Sequence, residues 1–273
     1  RRHQEGDERF DDREECKKIN VKILEDENSK INSARIAIEL LVKEILENFN
    51  ISSTRKITMN RAYKKIVEEL REEINELEKQ LKENSENYVP LRKTPIPLCD
   101  VSGSMQGTPM YVCIALGIIL SNGLQKNKFL KNRIISFEDE PQWIILKSDN
   151  FYENVMQLKS APLGGSTNFE KAQLLFLDIC IKNKISFSEI PDMVVFSDMQ
   201  FNQANGFTDY SDYYRKYNYE KPVFNWDTHH EKIVKLWNNA KFPGELNPCY
   251  KEDEVPNIVY WDLRMENGGY PVD

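Results

Sequence analysis

Oxygen-bearing side chains cluster just after a short apolar run near the middle of the chain. The run "PIPLC" ends at Asp100, and Ser102 and Ser104 follow at alternate positions on either side of Gly103. A carboxylate with two hydroxyls suits a hard divalent cation, because such cations prefer oxygen ligands and a hydroxyl adds no charge to the metal. The spacing therefore predicts part of a metal site that leaves one coordination position vacant.

Two later segments are expected to bring further oxygen ligands to the same place. The apolar run "PDMVVFS" ends at Asp198, and "LGGST" places Thr167 after two glycines that permit a sharp turn before a helix. Because the carboxyl ends of parallel strands meet at one edge of a sheet, Asp100 and Asp198 are expected to face one crevice. The predicted metal ligands are Asp100, Ser102, Ser104, Thr167 and Asp198.

Apolar runs alternate with helical patterns from residue 95 onward. Strands are predicted at "PIPLCD", "NRIISFED", "QWIILK", "PDMVVFSD" and "PNIVYWDL", with helices between most of them, the first over about 109–124. Runs that are apolar throughout indicate strands covered on both faces. The predicted fold is α/β, with a Rossmann-like doubly wound, mainly parallel sheet.

Pro97 fits this fold badly, because proline has no N–H to donate to a sheet. Pairing of the first strand is therefore expected to begin after it.

The region before this domain has the composition of helices. Apolar periodicity predicts one amphipathic helix over about 33–49 and a second over about 58–86. Together they predict an α-helical hairpin within 33–94 that packs on the neighbouring domain, after a polar tail or fragment start at 1–32. Heptad-like steps of 4, 3 and 4 in the second helix leave self-association or partner binding along 58–86 as an alternative. The residues at these steps are Leu70, Ile74, Leu77 and Leu81.

The composition argues against several classes of protein. The 273 residues carry a formal net charge of −7, which disfavours a chain built mainly to coat nucleic acid. No uncharged apolar run reaches about 18 residues, so no membrane span is expected. The five cysteines are widely spaced and form no CxxC pair, which favours reduced thiols in a cytoplasmic or other intracellular compartment and disfavours a zinc site.

The three oxygen-rich motifs together resemble the metal-ion-dependent adhesion site (MIDAS) of von Willebrand factor A domains. They are "DVSGSM" on the first strand, "GGST" before a helix and "VVFSDM" on a later strand. The resemblance implies that residues 95–273 form a domain of this type and that Mg²⁺ or Mn²⁺ is bound directly or through water. The residues it implies as ligands are Asp100, Ser102, Ser104, Thr167 and Asp198. Such domains usually continue with a final helix and a sixth strand, so a chain that stops at Asp273 is expected to be a fragment or truncated.

Residues 96–273 are similar, more closely still, to an uncharacterised family found in plants and giant DNA viruses. The runs that carry this resemblance include "CDVSGSMQGTPMYVCIALGIILS", "FSDMQFNQA" and "VPNIVYWDLR". The A-type domain of that family is similar to the one in Ro ribonucleoprotein autoantigens, which pair it with a helical RNA-binding region. The resemblance implies a viral protein, either a virion component or a host-directed factor.

An aromatic insertion over about 200–227 follows Asp198 and is expected to emerge beside the metal. Aromatic side chains interleaved with basic ones can stack on bases or anchor a protein partner. The alternative is a loop that packs on itself. The candidate partner-binding residues are Tyr213, Tyr214, Arg215, Tyr217 and Trp226.

The leading functional prediction is a non-enzymatic binding or assembly module. Its metal would complete its coordination with an acidic group of a protein partner, and the helical hairpin would supply a second contact surface. The motifs "DVSGSM", "GGST" and "VVFSDM" contain no His, Lys or Cys, so they lack an evident general base or nucleophile. The alternatives are an RNA-binding ribonucleoprotein-type component and a metal-dependent phosphoester hydrolase.

Overall fold

The computed structural model describes residues 37–48, 50–84, 94–137, 140–160, 169–198, 229–242, 244–245, 247–250, 255–263 and 271–272. Its helices are α1 (Ile38–Glu47), α2 (Ser53–Asn84), α3 (Thr108–Ile118), α4 (Phe151–Lys159), α5 (Phe169–Lys182) and α6 (His229–Asn239). Its strands are β1 (Ile96–Asp100), β2 (Arg133–Phe137), β3 (Trp143–Ile145), β4 (Met193–Ser197), β5 (Ile258–Asp262) and β6 (Pro271–Val272). In this part of the chain no helix is both long and apolar enough to cross a membrane.

The strands form one six-stranded sheet in the order β3-β2-β1-β4-β5-β6. Strands β2, β1, β4 and β5 are parallel, and the two edge strands, β3 and β6, are antiparallel to their neighbours. This strand order is that of the Rossmann fold. The predicted α/β architecture with a mainly parallel sheet is therefore confirmed.

Strand β6 was not expected from the sequence. Its two residues pair with Tyr260 and Trp261 of β5. Because β6 is antiparallel to β5, it does not decide the expectation that the domain is truncated, which stays a prediction. A two-residue strand has too little periodicity to be distinguished in a sequence.

Pro97 lies inside β1 and is paired, which corrects the expectation that pairing begins after it. Its register partner is Val194 on β4, whereas the register with β2 begins only at Leu98. The Ile96 amide donates toward the β4 side, to the carbonyl of Asp192 at 2.9 Å. Successive amides of a strand point alternately toward its two neighbours, so an N–H at position 97 would point toward β2. The pairing of β1 with β2 begins only at Leu98, so no partner is left without a donor. The proline therefore costs the sheet no hydrogen bond.

Two hydrophobic clusters cover the opposite faces of the sheet. In β4, Val194 and Phe196 belong to the first cluster, whereas Met193 and Val195 belong to the second. Alternate residues of a strand point to opposite faces, which explains the division. Helices α1 to α4 supply the first cluster, and α5 and α6 supply the second.

The predicted hairpin helices are present, with different ends. Helix α2 begins at Ser53, five residues before the predicted start, because Ser52 acts as its N-cap and accepts a 3.2 Å hydrogen bond from the Arg55 amide. The expected start of the first helix lies outside the described residues, which take up the chain just before Ile38. Arg55 joins the two helices through a pair of hydrogen bonds to Glu44, at 2.6 and 2.9 Å.

The hairpin packs directly on the sheet-containing domain. Tyr63 of α2 stacks on Phe151 with ring centroids 4.8 Å apart, and its hydroxyl donates a 2.7 Å hydrogen bond to the side chain of Asn122. A Cβ added at Gly123 would lie 2.7 Å from a methyl group of Val67. Glycine at this position therefore allows the closest approach of α2 to the domain.

The first helix of the domain has a two-part structure. A regular α-helix, α3, ends at Ile118, and a π-helical segment continues it over Ile119–Leu124. The sequence predicted one helix over about 109–124, so its extent is confirmed and its irregular last turns were not foreseen. These wide turns carry Asn122 and Gly123, the two residues that meet α2.

Candidate metal centre at the switch point of the sheet

The carboxyl ends of β1 and β4 flank the point at which the strand order reverses. After β1 the chain continues to β2 on one side, and β4 lies on the other side of β1. In open α/β sheets, ligands bind in the crevice outside the strand ends at such a switch point. Asp100 ends β1 and Asp198 directly follows β4, so both predicted carboxylates flank this crevice.

Asp100 is held firmly at the base of the crevice. Its side chain is fully buried. One carboxylate oxygen accepts a 2.9 Å hydrogen bond from the Ser102 amide, which is the geometry of an Asx turn. The other oxygen accepts a 2.5 Å hydrogen bond from the Ser197 hydroxyl. Local turn chemistry and the neighbouring strand thus fix the carboxylate together.

The two serine hydroxyls lie side by side next to this carboxylate. Ser102 Oγ and Ser104 Oγ are 3.0 Å apart. A short 3₁₀ turn over Gly103–Met105 produces this arrangement, and the fully buried side chain of Met105 anchors the turn in the core. Ser102 is buried, whereas Ser104 is exposed. The hydroxyl pair therefore runs from the buried carboxylate toward solvent.

The electrostatics of Asp100 are those of a buried anion close to a second anion. Burial, as the largest cause, raises the pKa of Asp100 above its ordinary value of 3.8, and the charge of Asp198 raises it further. Hydrogen bonds from Ser197 and Ser102 oppose this rise. Asp198 is itself almost completely buried. A divalent cation between Asp100 and Asp198 would offset the repulsion between their charges. It would also favour the ionised form of both carboxylates.

The donor set fits a hard divalent cation and does not fit a soft one. Asp100, Asp198 and the serine hydroxyls offer only oxygen atoms, which suits Mg²⁺ or Mn²⁺. Within the described ranges, no group of three or more His, Cys, Asp and Glu side chains could hold a metal ion. The candidate site has two carboxylates and otherwise hydroxyls, so it is not a cluster of that kind.

The structure places four of the five predicted metal ligands at this edge of the sheet. Asp100, Ser102 and Ser104 lie on β1 and the turn after it, and Asp198 follows the adjacent strand. Thr167 lies outside the described residues, and so do all the predicted partner-binding residues. The latter are Tyr213, Tyr214, Arg215, Tyr217 and Trp226.

Sequence reasoning missed two side chains that support the site. Ser197 precedes Asp198 and bonds Asp100. Cys113 of α3 lies with its Sγ 3.5 Å from the carbonyl oxygen of Asp100 and 3.7 Å from that of Phe196, and so connects the ends of β1 and β4. The "FSD" sequence offered a signal for Ser197, because a hydroxyl next to a strand-end carboxylate can bond a neighbouring strand. A cysteine within an apolar helix carries no comparable signal.

Asp262 lies at the same edge, on the next strand. It ends β5, is buried, and is the register partner of Ser197 on β4. The Leu263 amide, directly after it, donates a 2.8 Å hydrogen bond to the Ser197 carbonyl. A third buried carboxylate thus ends a strand at this edge of the sheet.

Comparisons with known proteins agree with part of the resemblance inferred from the motifs. Residues 94–273 match a family described as a domain of unknown function, DUF7788. The chain is also similar to "Uncharacterized protein L728" of Acanthamoeba polyphaga mimivirus, with 35% identity over 156 residues, which is 57% of this chain and 26% of the viral protein. The matched region thus spans about a quarter of that relative. No solved structure matches the chain.

The predicted similarity to a giant-virus family is confirmed by the mimivirus relative. The finer resemblance, to von Willebrand factor A domains and their metal site, stays a prediction. The matched family covers the whole α/β domain, from the residues just before β1 to the end of the chain. The chain therefore belongs to the DUF7788 family.

Proposed function

We propose that this chain is a non-enzymatic, metal-dependent binding or assembly module of the von Willebrand factor A type. In this proposal it holds Mg²⁺ or Mn²⁺ and captures an acidic group of a protein partner. The observation that carries the proposal is the buried Asp100 carboxylate, which lies beside a hydroxyl pair and near Asp198 at the switch point of the sheet. The proposed ligands are Asp100, Ser102, Ser104, Thr167 and Asp198.

The direction in which the site opens supports capture of a partner. Asp100 forms the buried base, Ser102 is also buried, and Ser104 is exposed. A cation held here would act as a Lewis acid toward one external oxygen ligand. Hydroxyl ligands leave it with more positive charge than carboxylates would, which favours an anionic group such as a carboxylate in the remaining position.

The neighbours of the site favour binding over covalent catalysis. The thiol of Cys113 contacts the Asp100 carbonyl oxygen, and burial raises its pKa well above the usual range. Burial therefore favours the neutral thiol, which is a poor nucleophile. The hydroxyls of Ser197 and Ser102 also form hydrogen bonds with the Asp100 carboxylate. Both bonds fix the carboxylate in place, so the arrangement supports a site that holds and orients a ligand.

The two alternative functions receive less support. A phosphoester hydrolase would need a second metal or an aligned nucleophile. An RNA-binding role would have to overcome a formal net charge of −7. The aromatic insertion that favours RNA binding lies outside the described residues.

Calorimetric titration with Mn²⁺ and Mg²⁺ tests the proposal. Saturable binding is expected for the wild-type chain and should be lost in Asp100→Asn and in the double variant Ser102→Ala, Ser104→Ala. Ser186 and Ser188 provide a matched control, because they form a second hydroxyl pair at i and i+2, also 3.0 Å apart, on an exposed turn that precedes β4. The double alanine variant of that pair should bind like the wild type. A folded wild-type chain that binds neither cation would refute the proposal.

Capture of an acidic group has its own test. Mn²⁺ bound to the protein relaxes the protons of its coordinated water, and an entering carboxylate displaces that water. Glutarate, used as a simple dicarboxylate probe, should therefore reduce the water relaxation enhancement of the Mn²⁺ complex. Glutaramide, its neutral analogue, should not. Equal effects of the two compounds would contradict selective capture of acidic groups.

A further inference from the structure

Helix α2 extends well beyond the surface on which it packs. It has 32 residues and is therefore about 48 Å long. Met59, Tyr63 and Val67, in its first half, are buried in the first hydrophobic cluster, and Leu70 packs against the edge of that cluster. Among the described residues, neither cluster contains a side chain of α2 beyond Leu70. Leu77 is 55% exposed and Leu81 is 45% exposed.

The exposed side chains continue the stripe that the first half buries. Steps of 4, 3, 4, 3 and 4 residues connect the positions of this stripe, which is the repeat of a coiled-coil seam. The positions are Tyr63, Val67, Leu70, Ile74, Leu77 and Leu81. We name the last four the α2 seam. One apolar stripe thus serves the chain's own core over its first half and faces away from that core over its second half.

We propose that the α2 seam pairs with the α2 seam of a second copy of this chain, in antiparallel orientation. In the symmetric register, Leu70 of one copy opposes Leu81 of the other, and Ile74 opposes Leu77. Each copy then contributes four apolar side chains, and the pairing forms four layers. The helix is already ordered by its packing on the domain, so pairing need not supply the free energy that forms an isolated helix.

The charges beside the seam fit the antiparallel orientation. In that register, Arg71 of each copy lies opposite Glu78 of the other, which creates two pairs of opposite charge. In a parallel pair, Glu73 of each copy would lie opposite Glu78 of the other, which creates like-charge contacts. Arg71 also donates to the Gly123 carbonyl of its own chain, a contact that an interaction with Glu78 of the partner would have to share or replace.

The length of the helix also suits this register. When Leu70 opposes Leu81, the last residue of one helix, Asn84, lies opposite Val67 of the other. Val67 is the last position of the apolar stripe whose side chain is fully buried in the chain's own domain. The described part of each helix therefore reaches no further along its partner than Val67.

Sedimentation equilibrium of the full chain over a wide range of concentrations tests the proposal, with circular dichroism as a check of folding. The wild type is expected to reach a monomer–dimer equilibrium. Leu77→Glu should weaken the dimer by about a hundredfold, because it places charges at two of the four layers. Lys79→Glu introduces the same residue at an exposed position away from the seam and should leave the dimer unchanged. A wild type that stays monomeric, or equal effects of the two variants, would overturn the proposal.

Charge reversal tests the orientation. Glu78→Arg should weaken an antiparallel dimer by about tenfold, because two attractive pairs become repulsive. In a parallel dimer the same variant should strengthen association, since it relieves the Glu73–Glu78 contacts, and that result would overturn the proposal. Glu72→Arg is the matched control, with the same change of charge at an exposed position off the seam.

Mixing two variants separates this pairing from any effect of Arg71 within one chain. Arg71→Glu alone and Glu78→Arg alone should each associate weakly with themselves. An equimolar mixture should form the heterodimer, because each Arg71–Glu78 contact then regains opposite charges. If the mixture associates no better than the separate variants, the proposed register is wrong. None of these measurements depends on a metal, so their failure and that of the metal-binding proposal are distinguishable.

Discussion

The hydroxyl of Ser197, at the end of β4, donates a 2.5 Å hydrogen bond to the Asp100 carboxylate at the end of β1. Both residues are fully buried, and their strands flank the switch point of the sheet. The bond therefore joins the two sides of the candidate metal centre. It also stabilises the ionised form of Asp100, against the effects of burial and of Asp198.

Ser197→Ala should raise the pKa of Asp100 further, because the hydroxyl that favours the carboxylate is removed. A carbon-detected NMR titration of the aspartate carboxyl groups measures this directly and requires no metal. Ser186→Ala, which removes an exposed hydroxyl, is the control. An unchanged titration of Asp100 in Ser197→Ala would contradict a role for this bond in setting its charge.

Asp100→Asn should stabilise the metal-free protein at neutral pH. Burial and Asp198 raise the pKa of Asp100 above 3.8, so the folded state binds its proton more tightly than the unfolded state does. The ionised Asp100 carboxylate therefore costs stability in the folded state. This cost appears as the pH rises from the pKa of Asp100 in the unfolded chain through its higher pKa in the folded chain. Removing the charge should raise the free energy of unfolding by on the order of 1 kcal/mol, with the difference disappearing below about pH 3.

Chemical denaturation with EDTA and with Mg²⁺ checks this prediction. Under the proposed function, Mg²⁺ should stabilise the wild type and leave Asp100→Asn unchanged. Asp178→Asn is a matched control in which the free energy of unfolding should change in the opposite direction. Asp178 is also a buried carboxylate, but it is paired with Lys182 at 2.6 Å. Its replacement should lower stability. A loss of stability in metal-free Asp100→Asn would contradict the view that the buried charge is costly.

Most of the candidate site could be predicted because its residues end apolar strands. Asp100 and Asp198 follow continuous apolar runs, and the carboxyl ends of parallel strands face one edge whatever the details of packing. The sequence carries no signal for Cys113, and it could suggest a bond from Ser197 without naming Asp100 as its partner, because these contacts depend on which strands and helices are neighbours. That information is distributed over the whole chain and is not present in the local spacing.

The errors at the level of secondary structure have similarly local causes. The predicted start of α2 is five residues too late, because the apolar periodicity does not reveal that Ser52 caps the helix. Pro97 was judged from its missing donor without knowledge of which neighbour that donor would face. Each of these errors depends on a single backbone amide. The hydrophobic periodicity that predicted the helices and strands extends over many residues.

Cys249 should react slowly with iodoacetamide at neutral pH. Burial is the main cause that raises its pKa to about 11. Its thiol also donates to the Ala240 carbonyl at 3.2 Å. Because the thiolate is the reactive form, the rate should rise about tenfold per pH unit and level off only near pH 11.

Alkylation followed by peptide mass spectrometry measures this rate. The variant Cys16→Ser removes the cysteine that lies outside the described residues, and the other three cysteines are buried. Free cysteine provides the reference, since its rate levels off near its ordinary pKa of about 8.5. A plateau for Cys249 below about pH 9 would contradict the half-buried environment.

Gly123→Ala should weaken the packing of α2 on the domain. The new Cβ would lie 2.7 Å from a methyl group of Val67 and 3.1 Å from the Tyr63 hydroxyl oxygen, and both of these side chains are buried. Such overpacking costs about 1–3 kcal/mol, since the helix must move or the side chains must leave their preferred rotamers. Movement of α2 would also strain the 2.7 Å hydrogen bond from Tyr63 to Asn122.

Urea denaturation and limited proteolysis measure this loss. Cleavage within α2 should become faster in Gly123→Ala, because a weakened interface allows the helix to detach more often. Gly103→Ala is the control for stability, since a Cβ there meets no atom within 4 Å. If the two alanine variants unfold at the same urea concentration and are cleaved at the same rate, the contact between α2 and Gly123 does not hold the hairpin on the domain. If only Gly123→Ala is affected, the glycine in the π-helical segment is what permits the hairpin to form part of the first core.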